Sequence, residues 1–162
     1  MKTTATTRWN PFRPFSRFLK CLFTKLQPPF HDADLGELTH DRYRHWNCSI
    51  QFSPTNSNVD ISFRTGDIPP SALQIAFFRD VESRFSEVWA ALRDSLFEDV
   101  EDLPDGTTMA QFFDSLMVNS ITFWNVVDEP FEWQVSCFSE LDDHLFTIHM
   151  FGFEDQGFTL DG

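Results

Sequence analysis

The stretch that decides the fold is residues 71–96, which read SALQIAFFRDVESRFSEVWAALRDSL. Apolar residues recur in it at steps of three and four, which places them along one side of a helix with 3.6 residues per turn. They are Leu73, Phe77, Val81, Phe85, Val88, Trp89, Leu92 and Leu96. Ser71 follows two prolines, and its hydroxyl can accept a hydrogen bond from a first-turn amide, so the helix is predicted to begin there. At about 1.5 Å per residue, a single helix of this length is about 39 Å long and can cross a small sheet.

Two segments before this helix alternate apolar and polar residues, a period of two that is typical of a strand with one buried face. They are residues 46–52 and residues 59–63. Residues 54–58 have the composition of a turn, so the two segments predict an antiparallel hairpin. Residues 35–38 are a candidate short edge strand ahead of it.

After the long helix, Pro104-Asp105-Gly106 indicates a turn, and Thr107 or Thr108 can cap a second helix over residues 109–117. Strand-like runs then follow at residues 120–127, 131–137 and 145–151, and residues 153–160 can form a last edge strand. Strands at both ends with helices between them predict an α+β fold. We expect a mainly antiparallel sheet of about five to six strands, with the long helix and the second helix on one face.

Length and composition indicate one folded domain. The chain has 162 residues, 41% of them hydrophobic, with 20 Phe and 5 Trp. The net charge of −13 is uneven, because residues 1–30 contain six basic residues and no acidic one, and the rest has a net charge of −19. Such a body repels phosphate backbones, which argues against nucleic-acid binding, and attracts basic partners. Plain solubility is the other explanation of the charge.

The first 30 residues therefore form a basic, aromatic segment ahead of a single acidic domain, residues 31–162. Five apolar side chains of the segment lie on one helical face and predict a short N-terminal amphipathic helix. They are Phe15, Phe18, Leu19, Leu22 and Phe23. This helix could dock on the domain, contact an anionic membrane surface, or serve as an organelle-targeting presequence.

Cellular location follows from cysteine usage and hydropathy. Three cysteines make an odd number without a CxxC pair, which indicates a reducing compartment rather than a disulfide framework. No run approaches the roughly 18 apolar residues of a membrane span, and basic residues interrupt any secretory h-region at the start. The sequence predicts a cytoplasmic protein.

Motifs for catalysis, cofactors and metals are weak. The glycines are scattered, so neither a phosphate loop nor a dinucleotide fingerprint is present, and no cofactor is predicted. Cys48 and Cys137 lie on the apolar side of their strands, where burial raises a thiol pKa and makes a poor nucleophile. A metal site can be drawn in the connector from His31, His40, His45, Asp32, Asp34 and Asp41, but such loop residues are usually solvated. We therefore predict no enzyme and no metal.

Exposed aromatic residues near acidic ones are the positive signal, because they are typical of a protein-binding face. Trp124 and Phe138 lie on the polar side of their strands, and one ring of each pair Phe77-Phe78 and Phe112-Phe113 can be left outside the core. A second apolar layer, such as the N-terminal helix packing there, is the alternative. The acidic residues of the predicted face are Asp99, Glu101, Asp102, Asp105, Asp128 and Glu129.

The order of these segments resembles that of a group of small bacterial domains of unknown function. The resemblance is carried by FHDADLGEL at residues 30–38, the Trp46-led strand pair, the long helix after Pro69-Pro70, and the close from Asp142-Asp143-His144 to Leu160-Asp161-Gly162. It departs at Asp34, where proline is expected. The resemblance implies an immunity-type protein that neutralises a toxin, here a basic one, by binding it without catalysis. The alternatives are a peripheral membrane protein attached through the N-terminal helix and an uncharacterised domain without a catalytic role.

Overall fold

The computed structural model describes residues 26–99, 106–124 and 131–161. Within these ranges the chain forms eight strands and three helices. The strands are β1 Phe30–Asp32, β2 Gly36–His40, β3 Trp46–Phe52, β4 Ser57–Phe63, β5 Leu116–Phe123, β6 Glu132–Ser139, β7 Asp142–Phe151 and β8 Glu154–Asp161. The helices, which all lie between β4 and β5 in the chain, are α1 Ala72–Ser83, α2 Phe85–Asp99 and α3 Met109–Ser115.

All eight strands belong to one sheet and lie in it in chain order. Neighbouring strands are antiparallel, except that β4 and β5 run parallel with Phe63 opposite Phe123. Parallel neighbours need a connection that returns the chain to the same end of the sheet, and the helical segment supplies it. The sheet is therefore two antiparallel halves joined by one helical crossover.

One face of the sheet, the inner face, is apolar and packs against the helices. Phe123 of β5 lies at the centre of an aromatic cluster there and is almost fully buried. Its ring stacks on Phe63 of β4 at 5.1 Å and on Trp133 of β6 at 5.9 Å between centroids. From the helix side, Phe78 of α1 meets it edge-on at 6.1 Å. Aromatic pairs at these separations stabilise beyond the area they bury, so this cluster ties both halves of the sheet to the crossover.

The prediction of one long helix is wrong, because the helix breaks at Arg84 between α1 and α2. Arg84 has φ −105° and ψ 14°, outside the helical range. Just before it, the Ser83 hydroxyl donates to the Asp80 carbonyl at 2.9 Å. Side-chain bonding of serine to the preceding turn competes with the backbone ladder and bends helices.

The break also changes which residues face the core. Leu73, predicted to be buried, is 48% exposed, and α1 instead buries Ile75, Phe78 and Val81. In α2, Phe85, Val88 and Leu92 are all buried, as predicted. The predicted cap is confirmed, because the Ser71 hydroxyl accepts from the Gln74 amide at 3.2 Å.

The predicted number of strands is also wrong: eight occur in the described residues, not five to six. Residues 30–40 form two strands rather than one, and the turn between them is fixed by Asp32, whose carboxylate accepts from the Asp34 and Leu35 amides at 2.9 and 3.0 Å. These backbone hydrogen bonds, of which the one from Leu35 has the largest effect, lower the pKa of Asp32.

The predicted α+β class holds. The predicted N-terminal helix lies outside the described residues.

The second predicted helix is shorter than expected. Thr108 caps it as predicted, accepting from the Gln111 amide at 3.3 Å. It ends at Ser115, so that Met117, predicted as helical, belongs to β5. Phe112 and Phe113 are both buried, which contradicts the expectation that one of them is left outside the core.

We predict that Phe123→Ala lowers the free energy of unfolding by about 3–5 kcal/mol, because it removes a fully packed ring that bridges both halves of the sheet. Urea denaturation followed by far-UV circular dichroism measures this change. Met117→Ala, on the same strand but 47% exposed, is the matched control and should change it by less than about 1 kcal/mol. Equal effects of the two substitutions would contradict the central role of Phe123.

Candidate functional site

The opposite face of the sheet, the outer face, is the candidate functional surface. Side chains alternate across a strand, so each strand that sends apolar residues inward sends its other residues to this face. The strand register aligns those residues in rows, such as Thr122 with Gln134 and Gln134 with His149. The rows cross β4 to β8 and place residues from distant parts of the chain side by side.

The middle of the outer face is lined by small hydroxyl side chains, the hydroxyl centre, formed by Thr122, Ser136 and Thr147. These three residues are only 4–6% exposed, because they are shorter than flanking side chains such as Gln134 and Phe138. Ser136 and Thr147 are opposite each other, and their hydroxyl oxygens are 3.1 Å apart, a hydrogen bond that satisfies both. The hydroxyl centre therefore gives the face a polar but firmly packed floor.

An apolar patch, the methionine end, lies at one end of the outer face. Met117, Phe138 and Leu145 are cross-strand neighbours on β5, β6 and β7. Met117 is 47% exposed, and the other two are half-buried. Cross-strand apolar pairs of this kind stabilise a sheet, and a contiguous exposed group of them is typical of an interaction surface.

The other end of the outer face holds a cavity of about 490 Å³, the tryptophan cavity. Trp124 follows β5, and its amide donates to the Glu132 carbonyl at 3.1 Å, which continues the β5–β6 ladder. Glu132 is in turn opposite Phe151 of β7. The described residues that line the cavity are Trp124, Glu132, Trp133, His149, Met150, Phe151 and Gln156.

An arginine side chain of the same molecule stacks on the ring of Trp124. The guanidinium carbon of Arg64, the residue after β4, lies 4.0 Å from the centre of the Trp124 ring. This is well inside the roughly 6 Å reach of a cation–π interaction. The Arg64 Nε atom is buried and makes no hydrogen bond to any described residue.

The sheet is acidic. The eight strands contain no Lys and no Arg, whereas Asp or Glu occurs in β1, β2, β4, β6, β7 and β8. On the outer face Asp60 and Glu132 are both exposed. Asp60 lies in a second depression of about 430 Å³ beside Ser62 and Ser120. Several arginines of the helices and turns are already paired with carboxylates, for example Arg44 with Asp67 at 3.0 Å.

The predicted binding residues are only partly brought together. Trp124 and Phe138 are both half-buried on the outer face, but at opposite ends of it: Trp124 at the tryptophan cavity and Phe138 at the methionine end. At about 3.4 Å per residue, Glu132 and Phe138, near the two ends of β6, are about 20 Å apart. Asp99 is the last residue of α2. The remaining acidic residues of that prediction, Glu101, Asp102, Asp105, Asp128 and Glu129, lie outside the described residues.

The membrane-contact prediction rests on residues that the structure does not describe. Phe15, Phe18, Leu19, Leu22 and Phe23 all lie in this part of the chain. Of the helices that are described, none has both the length and the apolar content needed to cross a bilayer.

The histidines of the connector do not converge. His31 faces Glu37 at 3.4 Å, and His45 faces Asp41 at 3.7 Å. His40 is buried, where its Nδ1 accepts from the Gln27 amide at 3.2 Å and its Nε2 lies 3.1 Å from the Gly66 carbonyl. In residues 26–99, 106–124 and 131–161, no group of three or more His, Cys, Asp or Glu side chains could hold a metal ion.

The two described cysteines are poor nucleophiles, as predicted. Burial raises the pKa of Cys48 to about 11 and that of Cys137 to about 12. The carboxylates of Asp60 and Asp32 raise the Cys48 pKa further. Both thiols are therefore protonated near neutral pH, and only a thiolate attacks efficiently.

Four residues of the tryptophan cavity were not predicted as site residues from the sequence: Glu132, His149, Phe151 and Gln156. Alternation along β6 and β7 assigns the first three to the outer face, and that signal was available. Their meeting at one cavity depends on the register between β6 and β7 and on the turn into β8, which a single sequence does not give.

Comparison with known proteins adds no further assignment, since no protein-family model, no curated protein and no solved structure matches the chain.

We predict that iodoacetamide alkylates Cys48 about a hundredfold more slowly than a free thiol of pKa 9 at pH 8, because a pKa of about 11 leaves that much less thiolate. Mass spectrometry of the Cys21→Ser protein, which removes the cysteine outside the described residues, measures the rate. The rate should keep rising with pH up to about 11, and unfolding in guanidinium should restore an ordinary rate. A rate that levels off at pH 8–9 in the folded protein would contradict the assignment.

Proposed function

We propose that this chain is a non-enzymatic protein-binding domain that captures a basic segment of a partner protein on the outer face of its sheet. The observation that carries the proposal is the composition of that face. It has an apolar patch at one end, an aromatic cavity at the other, a packed hydroxyl floor between them and no Lys or Arg on its strands.

The two ends suit the anchor residues of an interface. Binding energy is usually concentrated in a few aromatic or apolar contacts surrounded by polar ones that contribute less. Trp124 and Phe151 at the tryptophan cavity, and Met117 and Phe138 at the methionine end, would be such anchors. Because Met117, Phe138 and Phe151 lie on paired strands, and Trp124 continues the β5–β6 ladder, little ordering entropy is lost when a partner binds.

The charge of the sheet suits a basic partner. Asp60 and Glu132 are exposed on the outer face, and Arg64 there is stacked on an indole. Opposite charges speed encounter and disfavour partners of like charge more than they add to affinity. An acidic face therefore favours basic partners over acidic ones.

The area of the outer face is compatible with such an interface. Five strands at about 4.8 Å spacing, with about 20 Å of strand length, give a flat area of about 500 Å². A standard interface buries about 800 Å² per partner. A partner would thus cover the face and part of its rim. The resemblance to immunity-type domains makes a basic toxin the partner class to test first.

We predict that a 12-residue peptide of net charge +4, containing Arg and Lys, perturbs backbone amide NMR signals of β5, β6 and β7 on titration. A peptide with Glu at the same positions should not. Raising NaCl from 50 to 300 mM should weaken binding about five- to tenfold, because it shortens the Debye length. Equal affinity at both salt concentrations, or perturbation confined to α1 and α2, would contradict the proposal.

The anchors are tested with Trp124→Ala combined with Phe138→Ala, which should weaken the same peptide by about tenfold or more. The matched control is Leu73→Ala, which removes an exposed apolar side chain from α1, away from the outer face, and should leave affinity unchanged. The narrower proposal, that the domain neutralises a toxin, is tested with a basic toxin as partner. Full toxic activity in the presence of an equimolar amount of this protein would contradict that narrower proposal.

A further inference from the structure

We infer that the tryptophan cavity is a receptor for one cationic side chain of the partner, an arginine or a lysine, held by the rings of Trp124 and Phe151 and the carboxylate of Glu132. This inference rests on the proposed function and names the chemistry that one part of the outer face recognises.

The size and lining of the cavity suit such a group. Its volume of about 490 Å³ is within the range of sites that hold small ligands, which are mostly apolar with a few placed polar groups. Trp133 and Met150 also line it, but both are nearly fully buried and their side chains belong to the core on the inner face. The Trp133 indole N–H is already used, because it donates to the Gly152 carbonyl at 2.6 Å. The Trp133 indole therefore offers no free donor to an anion.

The charges around the cavity favour a cation. Glu132 is the one carboxylate among its described lining residues. Glu154 and Asp155 follow directly on β8, opposite Phe151 and Met150. Among the described residues, two guanidiniums lie nearby: that of Arg64, held over Trp124, and that of Arg84, 3.7 Å from the centre of the Phe153 ring. In the part of the chain that the structure describes, the three carboxylates thus outnumber these two guanidiniums.

The Trp124 indole already contacts one guanidinium within the molecule. Arg64 shows that the Trp124 ring accepts a guanidinium at 4.0 Å within the molecule. Both faces of an aromatic ring are partly negative and attract cations, so a second cation in the cavity can make a cation–π interaction with the same ring. A guanidinium can add a forked pair of hydrogen bonds to the Glu132 carboxylate, which an ammonium cannot. We therefore expect arginine to bind more tightly than lysine.

The test compares three peptides that are identical except at one central position, which is arginine, lysine or citrulline. Citrulline keeps the shape of arginine and lacks its charge. On titration of the full chain, the arginine peptide should shift the Trp124 indole and the Glu132 and His149 amide NMR signals, and the citrulline peptide should bind about tenfold more weakly. Equal affinities of the arginine and citrulline peptides would overturn the inference.

Glu132→Gln gives the second measurement. It should weaken the arginine peptide about tenfold and leave the citrulline peptide unchanged, a coupling that general destabilisation would not produce. Glu140→Gln, which removes the same exposed charge beyond the other end of β6, is the matched control and should change neither. An equal loss with both variants would overturn the cavity as the receptor.

The failure of this inference and that of the proposed function are distinguishable. A basic peptide that binds the outer face with salt dependence, but does not distinguish arginine from citrulline, overturns the cavity receptor and leaves the proposed function intact. Absence of binding by every cationic peptide and by the basic partner overturns both.

Discussion

The parallel pairing of β4 with β5 is the constraint on which the rest of the structure depends. It forces the chain to cross the sheet through the helical segment, and it brings Phe63 and Phe123 into a stacked contact at 5.1 Å. The helices that make this crossing cover the inner face. The same pairing fixes the outer face, because Ser62 and Thr122, and then Arg64 and Trp124, become neighbours only when β4 and β5 lie in this register. Core and candidate site are thus two consequences of one strand pairing.

Local features of the fold could be predicted from the sequence because their causes are local. The β3–β4 hairpin follows from alternation and turn residues, and the Ser71 and Thr108 caps follow from short-range hydrogen bonding. The break at Arg84 could not be predicted, since a spacing of three and four continues through it. At the break lie a serine back-bond in the preceding turn and the Arg84 guanidinium, 3.7 Å from the ring of Phe153, a residue distant in sequence. Non-local contacts of that kind leave no periodic signal.

In the candidate site, too, local features could be predicted from the sequence and non-local ones could not. Strand alternation was enough to assign Trp124 and Phe138 to the outer face, but it gave no distance between them, and they lie at opposite ends. Glu132 and Phe151 belong to one cavity because β6 and β7 pair with Glu132 opposite Phe151. A shift of one residue in that register would send Phe151 opposite a different residue and turn one strand's side chains to the other face. The site is therefore a property of register, whereas each residue's exposure is a property of its own strand.

The acidic residues of β8 also bear on how the edge of the sheet behaves. β8 is the last strand of the sheet and pairs with β7. An unpaired edge invites pairing with a second copy, and charged residues are one common protection against it. Glu154 and Asp155 give β8 negative charge, so a second copy in antiparallel register would bring carboxylates together. A basic segment meets no such repulsion. In the proposed function, the charge that would keep copies apart is also the charge that would admit a basic partner, so one distribution of carboxylates would serve both purposes.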